Sequence, residues 1–309
     1  MFHGMMTIYK EAGYTSSDVV ARLRGILHMR KIGHTGTLDP DAEGVLPVCL
    51  GKGTKLCELI ADRDKEYVAV LRLGTVTDTQ DMSGTVLRSI PDEEVIKRVT
   101  PEALEEAAAK FRGPIRQVPP MYSAVKIGGK RLYELARQGR TVERPAREVT
   151  IYELEIINAA LPLVTLRVRC SKGTYIRTLC QDLGEELGTG GAMESLLRTR
   201  VGRFRLEEAI RLDDAEAIMK SGDPDRILEH ILPIDSFFEE APRANVRPEG
   251  MKALLNGNSI KRNLTDLPAV GKRCEVRMYG QDGKFCALYS YDPRKDELRN
   301  VKMFIGGEE

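Results

Sequence analysis

Cysteine is scarce in this chain and poorly placed for chemistry: the six residues at 49, 57, 170, 180, 274 and 286 form no C-x-x-C pair. That spacing argues against a zinc site and a disulfide framework, and leaves the thiols as small buried hydrophobes. Histidine is scarcer, at 3, 28, 34 and 230, and His34 has no second histidine at metal-binding spacing. No apolar run approaches the roughly eighteen residues that span a bilayer. The opening MFHGMMTIYKEAG lacks the basic start, apolar stretch and small-residue cleavage site of a secretory signal, so a cytoplasmic protein with no membrane partner is expected. Internal repeats and low-complexity tracts are absent, and so is any excess of charge, the net being +1.

What remains is an ordinary soluble composition, 42% hydrophobic and 30% charged over 309 residues, long enough for two domains. The charge, however, is unevenly spread. Between Arg112 and Arg147 nine basic residues, among them Lys126, Lys130 and Arg131, face two acidic ones, Glu134 and Glu143. A cluster so one-sided can hold several phosphates and release their counterions. The plainer reading is a solvated surface segment.

Periodicity suggests the architecture. From Ser17, apolar residues at 19, 20, 23, 26 and 27 recur at helical spacing. Thr100 with Pro101 at the first helical position opens a helix through Lys110, which Gly113 stops. Tyr67–Leu73, Val149–Ile157 and Leu163–Cys170 read as strands and Thr174–Leu187 as a helix. Strands and helices interleaved without a βαβ rhythm predict an α+β domain on a mixed or antiparallel sheet over residues 1–235. The basic segment 122–144, with its Gly128–Gly129 pair, interrupts that pattern as a protruding insertion, and short strand-like runs after 241 predict a small β-rich module over 241–309.

The most informative stretch is RKIGHTGTLDPDAEGVLPVCLGKGTK, residues 30–55, which sets glycines around Asp39. Pro40 pushes Asp39 into extended backbone, and Gly33, Gly36 and Gly44 are expected to allow a tight fold around it. Taken alone, an Asp in a Gly- and Pro-rich loop reads first as a turn former. Two other motifs fail on inspection. Asp39, Asp41, Glu43 and Gly44 imitate the start of a calcium loop, but the twelfth position is Leu50. Gly51–Lys55 imitates a phosphate loop, but the glycine required upstream is Leu46.

This stretch resembles the signature of the TruB-type tRNA pseudouridine-55 synthases. YKEAGYTSSDVV, KEYVAVLRLGTVTDTQDMSG, QVPPMYSAVKIGGKRLYELARQG and CSKGTYIRTLCQDLGEELG support the resemblance in chain order. One departure is Glu11, where the family usually has proline. The resemblance implies a pseudouridine synthase catalytic domain whose 122–144 insertion is a thumb that closes on RNA, and a PUA-like RNA-binding module at the C-terminus. It implies Asp39 as the catalytic aspartate, attacking uracil C6 or ribose C1′ or promoting loss of the base.

A carboxylate in a pocket that expels water needs a partner, and Arg177 in GTYIRT can bind it in two places. Its bland reading is a surface helix arginine. Tyr67 matches the active-site tyrosine, with a ring to stack on uracil and a hydroxyl for proton transfer; alone, it would be strand packing. By the same resemblance Tyr175 helps build the pocket, Leu196 packs under the target base, His34 takes the space of the flipped nucleotide and Lys10 supports the pocket.

The expectation is a stand-alone isomerase for a T-loop uridine of tRNA, gripping the T-stem and loop, with no cofactor, metal or obligate protein partner. A guide-RNA-dependent enzyme is one rival. A non-catalytic tRNA-folding chaperone using the same surface is the other, though it would have no chemical reason to keep Asp39, Tyr67 and Arg177 together.

Overall fold

Residues 1–305 are described by a computed structural model. Their strands are β1 (Gly4–Lys10), β2 (Ile32–His34), β3 (Glu43–Leu50), β4 (Lys65–Leu73), β5 (Thr75–Thr77), β6 (Val86–Ser89), β7 (Gly113–Gln117), β8 (Lys126–Ile127), β9 (Lys130–Arg131), β10 (Arg147–Ala160), β11 (Leu163–Cys170), β12 (Gly191–Val201), β13 (Phe204–Arg205), β14 (Ile231–Leu232), β15 (Arg243–Asn245), β16 (Ile260–Lys261), β17 (Cys274–Tyr279), β18 (Phe285–Asp292) and β19 (Glu297–Met303). The helices used below are α1 (Ser16–Leu27), α2 (Cys57–Ala61), α3 (Asp92–Arg98), α4 (Pro101–Ala109), α5 (Leu132–Ala136) and α6 (Ile176–Glu186).

The expected α+β class and mixed sheet are found. A ten-stranded sheet runs β14-β1-β3-β12-β4-β11-β10-β7, with β2 on β3 and β13 on β12. Within it only the β3–β12 pair is parallel. Along β4, buried and half-buried residues alternate, so Tyr67, Ala69, Leu71 and Leu73 face inward, the period-two signature of a strand with one face on a core. That strand starts at Lys65, two residues before the sequence suggests.

Two helices place the site. Thr15 caps α1 in a reciprocal capping box with Asp18, and Val19, Leu23, Ile26 and Leu27 bury against Ile8, Leu46 and Val48 of the sheet. Each such side chain contributes roughly 1.5–3 kcal/mol. Helix α6 packs Ile176, Leu179, Cys180 and Leu183 into the core over β12 and β4. Its Gly184 is required, because a Cβ there would meet the Gly191 nitrogen at 2.3 Å. Helix α4 has the expected Thr100 cap and Pro101 start but ends at Ala109, and Gly113 opens β7 rather than stopping the helix.

A second sheet, β15-β17-β18-β19-β16, lies in the region expected to be β-rich, with its own core of Val276, Met278, Tyr289 and Leu298. Of the span 241–309, residues 306–309 lie outside the described residues. One apolar cluster joins the two sheets, combining Met5, Val45 and Cys49 with Ile234, Leu288 and Phe304. In the basic insertion, β8 and β9 form a hairpin turned by Gly128 and Gly129, both with positive φ (59° and 83°), as a two-residue hairpin turn demands.

Candidate active site

The Asp39 loop joins β2 to β3 and is fastened from several sides. The Asp39 carbonyl accepts from the Ala42 N–H at 3.1 Å, closing a turn with Pro40 at its second position. Leu38 N–H donates to Ser16 Oγ at 3.0 Å, and Gly13 N–H to the Pro40 carbonyl at 3.0 Å. Fully buried Lys10 donates to the carbonyls of Pro40 (2.8 Å), Ala42 (2.6 Å) and Glu11 (3.0 Å). Burial lowers the Lys10 ammonium to about 8. Of the three glycines, Gly36 and Gly44 have positive φ, at 80° and 104°, whereas Gly33 does not need its freedom and has only the Cys57 sulfur near its would-be Cβ, at 3.6 Å.

Asp39 and Arg177 meet as a two-point pair. Arg177 Nε lies 2.9 Å from Asp39 Oδ2, and Nη2 donates to Oδ1 at 3.1 Å. The arginine side chain is only 6% exposed and the carboxylate 41%, so a ligand in the cleft can reach the acid but not its partner. Confinement by surrounding protein pushes the Asp39 carboxyl up; Arg177 opposes this, while the neighbouring Asp81 adds to it. Arg177 gathers further segments: it donates to the carbonyls of Thr79 (3.0 Å) and Tyr122 (2.8 Å) and lies 3.5 Å from Asp81 Oδ2. Gln117, at the end of β7, holds both backbone groups of Tyr175 (3.0 and 3.1 Å) and so sets the start of α6.

Asp39 and Arg177 stand at the floor of a cleft of about 1180 Å³. His34, Asp39, Arg177 and Leu196 line it, with Lys126 and Arg131 from the hairpin. Lys10, Tyr67, Tyr175 and Lys130 do not. Lys10 therefore acts on the loop from behind. His34 is the last residue of β2 rather than part of the loop; burial and the nearby Arg198 lower its imidazole, and its Nδ1 is buried without a partner. Tyr67, 8% exposed, is pushed up to about 12 by burial and stays a proton donor at neutral pH.

Several side chains at the site carry no signal of their own in the sequence. Asp81 shares Arg177, and both Arg131 and Arg137 lie over the Tyr133 ring, their guanidinium carbons 5.8 and 5.5 Å from its centre. Arg198, 1% exposed, sits beside Tyr67. Among the described residues no group of His, Cys, Asp and Glu suited to a metal occurs, and no helix is long and apolar enough to cross a membrane.

Comparison with known proteins identifies the family of the chain. Residues 24–176 match the family model of the TruB family pseudouridylate synthase (N terminal domain), and residues 177–239 that of the tRNA pseudouridylate synthase B C-terminal domain. The boundary between the two falls within α6, so both describe parts of one sheet. A tRNA pseudouridine synthase B of Lachnoclostridium phytofermentans is 45% identical over 98% of this chain and 100% of its own length. One of Syntrophomonas wolfei is 45% identical over 93% and 92%. Among solved structures, a Cbf5-Nop10-Gar1 complex aligns with a TM-score of 0.66 and 28% identity over 98% of this chain and 85% of the matched one. An H/ACA RNP bound to a substrate RNA containing 2′-deoxyuridine aligns at 0.68 and 25%, over 98% and 86%. With both family models matched across most of its length and close relatives covered nearly end to end, the chain belongs to the TruB family of pseudouridylate synthases.

Proposed function

We propose that this chain isomerises a uridine in the T-loop of tRNA, at position 55, to pseudouridine, acting alone in the cytoplasm. The observation that carries the reading is the two-point Asp39–Arg177 pair at the floor of the cleft, with the acid exposed to a ligand and the arginine sealed behind it. The reaction exchanges the N1–C1′ bond for a C5–C1′ bond. A proton leaves C5 and one is gained at N1, so the formula is unchanged and no cofactor is called for.

Asp39 meets the uridine, as nucleophile at C6 or C1′ or by promoting loss of the base; each route needs it ionised and aimed. Arg177 supplies both conditions. Tyr67, protonated and behind the cleft wall, carries a proton in the later steps. A uridine must leave its stack to reach this floor; Leu196 packs under it and the neutral His34 ring fills the space left in the RNA. Tyr175 shapes the pocket through the start of α6. Lys126, Lys130 and Arg131, on a thumb over residues 122–144, hold phosphates, and a PUA-like module over 241–309 adds to the RNA-binding surface of the catalytic unit 1–235.

The test incubates unmodified tRNA transcript with wild type and with Asp39→Ala, without metal or nucleotide, and maps pseudouridine by a chemical reverse-transcription stop. A stop at the T-loop uridine with wild type, reduced at least about 10⁴-fold in the variant, is expected. Tight binding of tRNA by both proteins with no pseudouridine from either would overturn the reading in favour of a chaperone or a partner-dependent enzyme.

A further inference from the structure

Arg198 is among the largest fully buried side chains of the protein, yet no carboxylate lies within ion-pair distance of it among the described residues. Burying a guanidinium without such a partner is costly, so its position calls for an explanation. Register supplies one. On β12, Arg198 stands directly across from Tyr67 of β4 and, on its other side, pairs with Gly44 of β3. Cross-strand partners have their Cβ atoms roughly 4.5–5.5 Å apart, which brings the guanidinium to the tyrosine. Its Nε donates to the Val45 carbonyl at 2.7 Å and its Nη2 to the Gly36 carbonyl at 3.3 Å, one on each side of Asp39 in the chain. Gly44 allows this approach: a Cβ there would sit 2.2 Å from the Arg198 carbonyl oxygen.

We propose that Arg198 is a positioning residue of the isomerisation, whose fork fixes the two ends of the Asp39 loop and the Tyr67 hydroxyl in a single arrangement. The inference rests on the reading of Asp39 and Tyr67 given above. One rigid planar group bonds a carbonyl of β3 and one of the loop while lying beside Tyr67 of β4, an arrangement a lysine cannot reproduce. Its charge also favours the ionised forms of both Asp39 and Tyr67. The other charged or titratable groups around this pair are Lys10 on β1, His34 on β2, Lys65 on β4 and Cys170 on β11.

The test compares Arg198→Met and Arg198→Lys, alone and combined with Tyr67→Phe, by steady-state kinetics on tRNA transcript across pH, with melting curves as a check on folding. Arg198→Met should lower kcat about 10²-fold while KM stays within about 3-fold, the scale expected when a reacting group is misplaced by about an ångström. Its acid limb should rise, because a charge favouring ionised Asp39 has gone. Arg198→Lys should restore the acid limb but only part of kcat. In the Tyr67→Phe background the Arg198→Met loss should shrink, since the two act as a unit. Multiplicative losses in the double variant together with an unmoved acid limb, or failure of both single variants to fold, would make Arg198 merely structural and end the proposal. If instead Tyr67→Phe turns over like wild type, the reading of Tyr67 fails, and the acid limb still tests Arg198 through Asp39.

Discussion

The loop carrying Asp39 and the hairpin at Lys126–Arg131 line the same cleft, and both turn on glycines with positive φ, yet their surroundings differ in kind. Around Asp39 the supporting cations are buried: Lys10 at 0%, Arg198 at 1% and Arg177 at 5% exposure, each bonded to loop carbonyls or to the acid itself. At the hairpin, Lys126, Lys130 and Arg131 are exposed, and nothing stands within 4 Å of a would-be Cβ on Gly128 or Gly129. Arg131 has only its neighbour Tyr133 to lean on, with Nη1 to Oη at 3.1 Å. The same chemical type, a cation beside a glycine turn, serves as internal scaffold in one place and, on the function proposed above, as adjustable grip in the other. Atoms that react need fixed distances, whereas phosphates can be held over a range of geometries.

The sharpest way to break this comparison is Arg177→Met, which removes a scaffold cation from the acid. Turnover should fall about 10³-fold. The sign of the pH effect follows from the acid: Asp39 must be ionised, confinement raises its carboxyl and Arg177 lowers it. The acid limb of kcat/KM therefore lies above the ordinary aspartate value of about 3.9 in wild type, and should move further up in the variant. An unchanged pH profile would show that the pair has no part in the chemistry.

A second contrast uses one substitution in both turns. Gly44→Ala drives a methyl into the Arg198 carbonyl at φ 104°, and should cost about 3 kcal/mol, read as a lowered melting temperature. Gly128→Ala meets open space, and should cost only the left-handed backbone term of about 1 kcal/mol. Equal losses would contradict the distinction. The smallest effect is expected at the grip itself. Lys126→Ala with Arg131→Ala should raise KM for tRNA a few-fold at unchanged kcat, and lower the salt slope of binding by about 0.9 for each phosphate no longer neutralised.

Much of the fold is legible in the residues. Leu163–Cys170 is a strand over the span its β-branched and apolar content suggests, and Thr100–Pro101 marks a helix start because cap chemistry is local. Strand β12 is hidden. Register shifts between Met193 and Ser195 and between Arg198 and Arg200 break the alternation by which a strand is read. Arg198 is hidden for the same reason, since MESLLRTRVG reveals its importance only once pairing sets it opposite Tyr67. Asp39 and Arg177 can be named because their motifs are long. Asp81 cannot, as nothing within TDTQD says which carboxylate will reach an arginine 96 positions away, a proximity that tertiary packing alone creates.

The place of β12 in the sheet has a consequence for synthesis. Among the described residues it is the one strand that links a half made of β14, β1, β2 and β3 to a half made of β4, β11, β10 and β7. Translation at about 5–20 residues per second leaves on the order of ten seconds between completion of β4 at Leu73 and arrival of β12 at Gly191. Throughout that interval the β4 edge that β12 will cover, and the short Glu43–Gly44 stretch of β3 beyond the part β2 holds, lack their native neighbour and offer unpaired backbone to other strands. The nascent chain therefore keeps an unpaired β4 edge until the strand that brings Arg198 to Tyr67 emerges, even after β11 has covered the other edge, and a ribosome pausing in that window would lengthen the risk.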